Sequence, residues 1–260
     1  MKRLMSAAIV VAIMMFGNLA FAQDMLVSVG LNSWYNSWES GWGSDTVKTE
    51  KSAMMVGPTI KIKKGKIFGG LTYLGAMSDY EFYWDNYGDY GDGTSGPYTS
   101  TYVFKRSDLD LMGGYMVTPR FGFYAGYKNS SADITGTSTH PLKLEEKETG
   151  TWSFSGPGVG ITGNYPLSRA SAIFYGSLSF MFLDYDFKVE GEKPTTRDMT
   201  GVSIELGVAG ALSKNLSVNG GVKSQVFSGE DEEKNNYIES NHTEEEFLGL
   251  TAGISYMFGL

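Results

Sequence analysis

The feature that most restricts this chain is the strict alternation at its end. From residue 248 onward, Leu248, Leu250, Ala252, Ile254, Tyr256, Phe258 and Leu260 occupy one parity, and Gly249, Thr251, Gly253, Ser255, Met257 and Gly259 the other. Side chains of a strand point alternately to opposite faces, so this stretch has one large apolar face and one small, weakly polar face. The pattern recurs: Val202, Ile204, Leu206 and Val208 alternate with Ser203, Glu205, Gly207 and Ala209, and Leu216, Val218 and Val222 alternate with Ser217, Asn219 and Lys223. The same holds for Leu109, Leu111, Tyr115 and Val117 against Asp108, Asp110, Met112, Gly114 and Met116. An all-β fold follows.

Carried along the chain, the alternation predicts ten strands, at 25–37, 47–63, 66–78, 102–117, 121–130, 151–165, 171–185, 199–212, 216–227 and 245–260. Most exceed the roughly five or six residues of an ordinary strand and suit the roughly 9–11 that cross a bilayer at a tilt. Four connections are tight: Lys64-Gly65, Thr118-Pro119-Arg120, Pro166-Leu167-Ser168-Arg169 and Ser213-Lys214-Asn215. Five are long and polar, at 38–46, 79–101, 131–150, 186–198 and 228–244. Ten antiparallel strands with both termini on one side give this four-to-five alternation.

Ahead of the strands, Lys2 and Arg3 precede an apolar run from Ala7 to Phe16 and a small-x-small stretch Ala20-Phe21-Ala22. That order is a secretory signal with its cleavage site, and the run is too short for the roughly 20 residues of a spanning helix. The expected organisation is therefore 1–22 as a cleaved signal and 23–260 as one barrel domain. Without Lys2 and Arg3 the chain keeps 19 basic against 29 acidic residues, which speaks against nucleic acid as a partner because phosphate contacts need clustered Lys and Arg. The chain has no cysteine, so disulfides, thiolate metal sites and cysteine nucleophiles are excluded.

Three observations orient the two faces. The non-apolar face is rich in Gly, Ser and Thr, which suits a crowded lumen better than a water-facing surface. Phe121, Phe123, Tyr165, Phe174, Tyr256 and Phe258 lie on the apolar parity near the tight turns, where an interfacial aromatic girdle belongs. The unequal connections have no reason to exist in a soluble meander.

The signal, the ten amphipathic strands and the terminal Tyr256-Met257-Phe258-Gly259-Leu260 together resemble the Gram-negative outer-membrane β-barrels over essentially the whole mature chain. The resemblance implies a transmembrane, antiparallel up-and-down barrel with short periplasmic turns and long extracellular loops. It also implies residence in the outer membrane, contact with its lipid and lipopolysaccharide, and recognition of the last strand by the barrel assembly machinery. In that superfamily the last residue is usually aromatic; here it is Leu260, with Phe258 two residues earlier on the same face.

Hairpin register turns the turns into lumen predictions. Setting Val117 opposite Phe121 places Asp110 opposite Lys128, and setting Leu212 opposite Leu216 places Glu205 opposite Lys223, each seven residues above its turn. Opposite charges across a ladder offset one another, so the pairs are expected to neutralise and stiffen a narrow bore; the alternative is a charged constriction that selects solutes. Arg106, Asp108 and Glu245 extend the same network. Met112, Met116, Tyr175, Met181 and Trp152 share the lumen parity and point to a partly filled bore.

The stretch 78–102 interleaves Tyr80, Trp84, Tyr87 and Tyr90 with Asp79, Asp85, Asp89 and Asp92. These aromatics are candidate contact residues for a glycan or protein, or members of an outer girdle; Trp34, Trp38 and Trp42 share the ambiguity. The carboxylates at 230–233 and 244–246 have no ordered ligand spacing and read as a solvated tip rather than a metal site. The omptin proteases resemble this chain in size and strand number, but they pair a histidine with an aspartate in the fourth loop. Here the only histidines are His140, in the third, and His242, in the fifth. The expectation is a non-enzymatic outer-membrane barrel without catalytic residues, metal or cofactor, whose acidic, aromatic loops make envelope or extracellular contacts; the alternatives are a narrow porin-like channel and, third, a surface protease.

Overall fold

The computed structural model describes residues 25–42, 49–89, 95–139, 146–167, 171–190, 194–230 and 242–259. Eleven strand segments follow in chain order: β1 (Met25–Trp42), β2 (Thr49–Lys64), β3 (Ile67–Ala76), β4 (Tyr80–Asp89), β5 (Ser95–Thr118), β6 (Phe121–Thr139), β7 (Glu146–Leu167), β8 (Ala172–Val189), β9 (Thr195–Ala211), β10 (Leu216–Glu230) and β11 (His242–Gly259). β3 and β4 both pair with β5 and form the lower and upper parts of one wall, interrupted at 77–79. β1 pairs with β2 on one side and β11 on the other. Through the β3–β5 pairing the antiparallel sheet closes into a barrel of ten walls, while β4 pairs with β5 alone and residues 49–54 of β2 with β1 alone.

The tight turns are set by local chemistry. Gly65 adopts φ 57°, a left-handed conformation that glycine enters without steric cost. Thr118 Oγ1 accepts the N–H groups of Arg120 and Phe121 at 3.2 and 3.1 Å, and Ser213 Oγ accepts those of Asn215 and Leu216 at 3.4 and 3.2 Å. These side chains satisfy amides that the reversal would leave open. A register shift between Met116 and Thr118 sets Thr118 opposite Phe121, where the sequence predicts Val117. A bulge absorbs that single residue, and the ladder above it keeps the expected register.

The strands run past their expected limits. β5 has 24 residues and β7 has 22, and strand covers much of what the sequence assigns to long loops. Alternation continues there with reversed polarity. In the lower part the outward positions are apolar and exposed: Val29 and Leu31, Leu111 and Tyr115, Val159 and Ile161, Ile204 and Leu206, Leu250 and Ile254. Their inward neighbours are small or polar, such as Ser28, Gly160, Ser203, Gly207 and Ser255. Higher on the same strands Ser37 and Glu39, Asp184 and Asp186, Asp198 and Thr200, and Glu246 point outward. Trp38, Tyr185, Met199 and Phe247 then point inward and are buried.

Candidate functional site: the sealed interior

The interior has three storeys. Near the tight turns it is lined by small and polar groups, among them Ser28, Asn32, Thr59, Thr72, Asn219 and Ser255. Thr59 and Thr72 share a hydroxyl hydrogen bond of 2.9 Å across β2 and β3. Several glycines are needed for the walls to approach inward neighbours: a Cβ on Gly207 would collide with the Tyr175 ring, and one on Gly160 with that of Tyr124.

Above this lies a charged storey. β5 presents Arg106, Asp108 and Asp110 on one face at every second position. Arg106 donates two parallel hydrogen bonds to Asp108, Nε to Oδ1 and Nη2 to Oδ2, both 2.8 Å. Lys128 Nζ, one strand away, bridges Asp108 Oδ2 at 3.3 Å and Asp110 Oδ1 at 3.0 Å. Ser130 donates to Asp108 and accepts from Arg106. Lys223 reaches across from β10 to Asp110 Oδ2 at 3.5 Å. Arg106, Asp108 and Lys128 are no more than 2% exposed, so the two cations are compensated by Asp108 and Asp110 rather than by water. Fork-to-carboxylate geometry and bridging contacts are what make such burial tolerable.

The top storey is aromatic. Trp38 is the hub, with ring centroids of Tyr80, Phe82, Phe104, Trp152 and Phe247 at 5.0 to 5.5 Å. Phe154 and Phe227 continue the cluster at 4.6 Å from each other. Edge-on and tilted geometries dominate, as ring quadrupoles favour. Trp34, Trp38, Trp152, Phe154, Phe227 and Phe247 are at most 1% exposed, so the bore is filled here. The two upper storeys are bonded together: Arg106 lies 3.7 Å from the Phe247 centroid and 5.4 Å from that of Trp34, and Lys223 stands over Trp34 at 4.8 Å. Trp38 Nε1 donates to the buried Glu245 carboxylate at 2.5 Å.

The residues singled out from sequence are distributed as follows. Asp110 stands opposite Lys128 and Glu205 opposite Lys223. The first pair is a direct ion pair. In the second, the Lys223 ammonium turns to Asp110, and Glu205 instead accepts the Tyr175 hydroxyl at 3.2 Å. A two-pair belt thus becomes one network across the bore, because the long lysine side chain reaches past its register partner to a carboxylate on β5.

Tyr80 requires correction as an external contact residue. It is fully buried, edge-on to Trp38, and its hydroxyl donates to Asn36 Oδ1 at 2.7 Å. Trp34 and Trp38 likewise belong to the interior rather than to a girdle or a loop surface. Trp84 and Tyr87 are placed on β4 by their backbone, with side chains outside the described set, and Tyr90 lies wholly outside it, as do residues 1–24 and His140. His242 begins β11. The girdle residues Phe121, Phe123, Tyr165, Phe174, Tyr256 and Phe258 all face outward and are exposed. Among the described residues no cluster of His, Asp and Glu has the makings of a metal site.

Of the aromatic storey the sequence places only Trp152 in the bore; Trp38, Phe104, Phe154, Phe227 and Phe247 are not anticipated there. The signal for this storey was present as a parity switch: Trp34-Tyr35 and Phe247-Leu248 are adjacent large apolar pairs at which the apolar face changes sides. Assigning one parity per strand hides that switch.

No protein-family model and no curated protein matches the chain in sequence. Among solved structures it is similar to the outer membrane protease OmpT from Escherichia coli, at 13% identity and a TM-score of 0.61 over 90% of this chain and 97% of that one. Looser likenesses are the translocator domain of the autotransporter NalP from Neisseria meningitidis, at 9% identity and a TM-score of 0.48 over 91% and 89%, and Neisserial surface protein A, at 12% and 0.40 over 89% and 97%. Closed, antiparallel and ten-walled, with an outward apolar band and long walls above it, this chain has the fold of the Gram-negative outer-membrane β-barrels.

Proposed function

We propose that the protein resides in the outer membrane as a sealed, non-enzymatic barrel that carries polar strand ends and acidic loops beyond the membrane for contacts outside the cell. The inversion of polarity along the walls carries this reading. Where hydrocarbon surrounds a barrel, outward groups are apolar and the lumen is free to be polar; where water surrounds it, outward groups are polar and the interior must supply the apolar core. One barrel showing both regimes, one above the other, needs both surroundings. The apolar band then meets membrane lipid, including lipopolysaccharide, and β11 is the strand offered to the assembly machinery.

The aromatic storey closes the route that the narrow-channel alternative requires. Solutes entering from the polar lower storey would meet Trp38, Trp152 and Phe247, packed at centroid distances of 5.0 to 6.4 Å. No catalytic role is assigned to the charged storey, whose Arg106, Asp108 and Lys128 are turned to their ionic partners and away from water.

Planar-bilayer recording tests the proposal. The refolded chain is expected to pass no steady current, and the triple variant Trp38→Ala, Trp152→Ala, Phe247→Ala to conduct. Stable wild-type openings would overturn the sealed reading in favour of the channel.

A further inference from the structure

The end of the barrel bearing the tight turns is charged in one sense. The described stretches 25–38, 58–72, 111–127, 157–167, 171–183, 206–222 and 247–259 contain no Asp or Glu, although acids outnumber bases in the chain by 29 to 21. The same stretches carry Lys61, Lys63, Lys64, Lys66, Arg120 and Lys214. All six are exposed, and four of them, Lys63, Lys64, Lys66 and Arg120, follow one arc of the rim, from the β2–β3 turn to the β5–β6 turn. Lys66 spans the gap between these turns, its Nζ donating to the Val117 carbonyl at 3.5 Å.

Two of the four stand over rings of the outward face. Lys66 Nζ lies 5.6 Å from the centroid of Tyr115, and the Arg120 guanidinium 5.3 Å from that of Tyr165; the rings are 50% and 59% exposed. Amphipathic rings sit at headgroup depth, so these contacts hold the cations where apolar band and water meet. Like charges gathered there repel one another unless an anion joins them, and no described carboxylate is near enough to serve.

We propose that this arc binds the phosphodiester headgroups of anionic phospholipids in the leaflet that the tight turns reach. Lipid is favoured over a soluble anion by continuity: a phosphate held by Lys64, Lys66 and Arg120 lies directly below Ile67, Tyr115 and Tyr165, on which its own acyl chains would rest. Arginine supplies forked donors to phosphate and lysine a point charge, and polybasic clusters beside a bilayer attract anionic lipid in the same way. The inference rests on the outer-membrane reading above.

The test reconstitutes the chain in vesicles of equal phosphatidylcholine and phosphatidylglycerol, extracts it gently, and counts retained lipids by native mass spectrometry. Phosphatidylglycerol should be retained several-fold over phosphatidylcholine, and the excess should vanish in high salt, which screens exposed charge. It should also vanish in the variant Lys63→Gln, Lys64→Gln, Lys66→Gln, Arg120→Gln, and persist when Lys105, Lys147 and Lys188 at the opposite end become Gln. Soluble glycerophosphoglycerol should not displace the retained lipid. Equal retention of both lipids by the wild-type chain overturns the inference and leaves the membrane reading intact, as does an excess lost equally in the opposite-end variant. Failure to insert into any vesicle overturns the membrane reading itself.

Discussion

Asp108 is the residue on which the charged storey turns. It accepts from Arg106, Lys128 and Ser130 at once, and it is 2% exposed. Replacing it by Asn preserves shape but strips the countercharge from a guanidinium that has no water to turn to. Removing one partner of a buried ion pair costs about 3–5 kcal/mol, and that is the loss expected for Asp108→Asn in denaturant unfolding from vesicles. Arg106→Met should cost a similar amount. The double replacement Arg106→Met, Asp108→Leu should cost clearly less than the two single losses together, because apolar groups of similar volume need no compensation. Strict additivity would show that the two side chains do not depend on each other. Lys223→Met, which removes a 3.5 Å ion contact and the cation over Trp34 from a side chain 13% exposed, should cost about 1–2 kcal/mol, less than Asp108→Asn.

Each strand, as an element, carries two codes in succession, and they were unequally legible. Alternation in β9, β10 and β11 announced their existence and antiparallel register, because Leu216 to Val222 and Leu248 to Phe258 keep one apolar parity over several residues. Hairpin arithmetic then placed Asp110 opposite Lys128 from the turns alone. The upper code was obscured by residue type. Trp34, Trp38, Tyr80 and Phe82 belong to the amphipathic class expected at interfaces, and only their inward parity distinguishes a core from a girdle. The exchange of Lys223 from Glu205 to Asp110 was beyond any sequence signal, since it depends on the reach of a side chain across a closed bore. The element-scale test uses the tryptophans themselves. With Trp42 and Trp84 changed to Phe, emission comes only from Trp34, Trp38 and Trp152, all at most 1% exposed. Neither brominated acyl chains outside nor iodide in solution should quench it appreciably. Strong quenching by bromolipid would put these rings on the outer face and reverse the parity assigned to β1 and β7.

At the scale of the whole molecule, the barrel is two bodies built on one continuous set of walls. The lower is apolar outside and polar within; the upper is polar outside and closed by an aromatic core. Neither would stand well alone, because the lower bore depends on the upper core for a dry lid over Arg106 and Asp108, and the upper core depends on the lower ladder to hold its strands in register. On the proposed outer-membrane reading the height at which polarity inverts is the height at which the surroundings change, and a single strand can test it. On β9, Leu206 and Thr200 share the outward face, and both are exposed. Arginine at Leu206 would lie in hydrocarbon and cost about 2–4 kcal/mol if near the midplane of the membrane, whereas arginine at Thr200 would lie in water and cost within about 0.5 kcal/mol. Refolding equilibria of Leu206→Arg and Thr200→Arg in vesicles should therefore differ by most of that amount. If the barrel were instead surrounded by water throughout, both outward arginines would be solvated, the two variants would refold alike, and the division of the walls into two regimes would lose its physical cause.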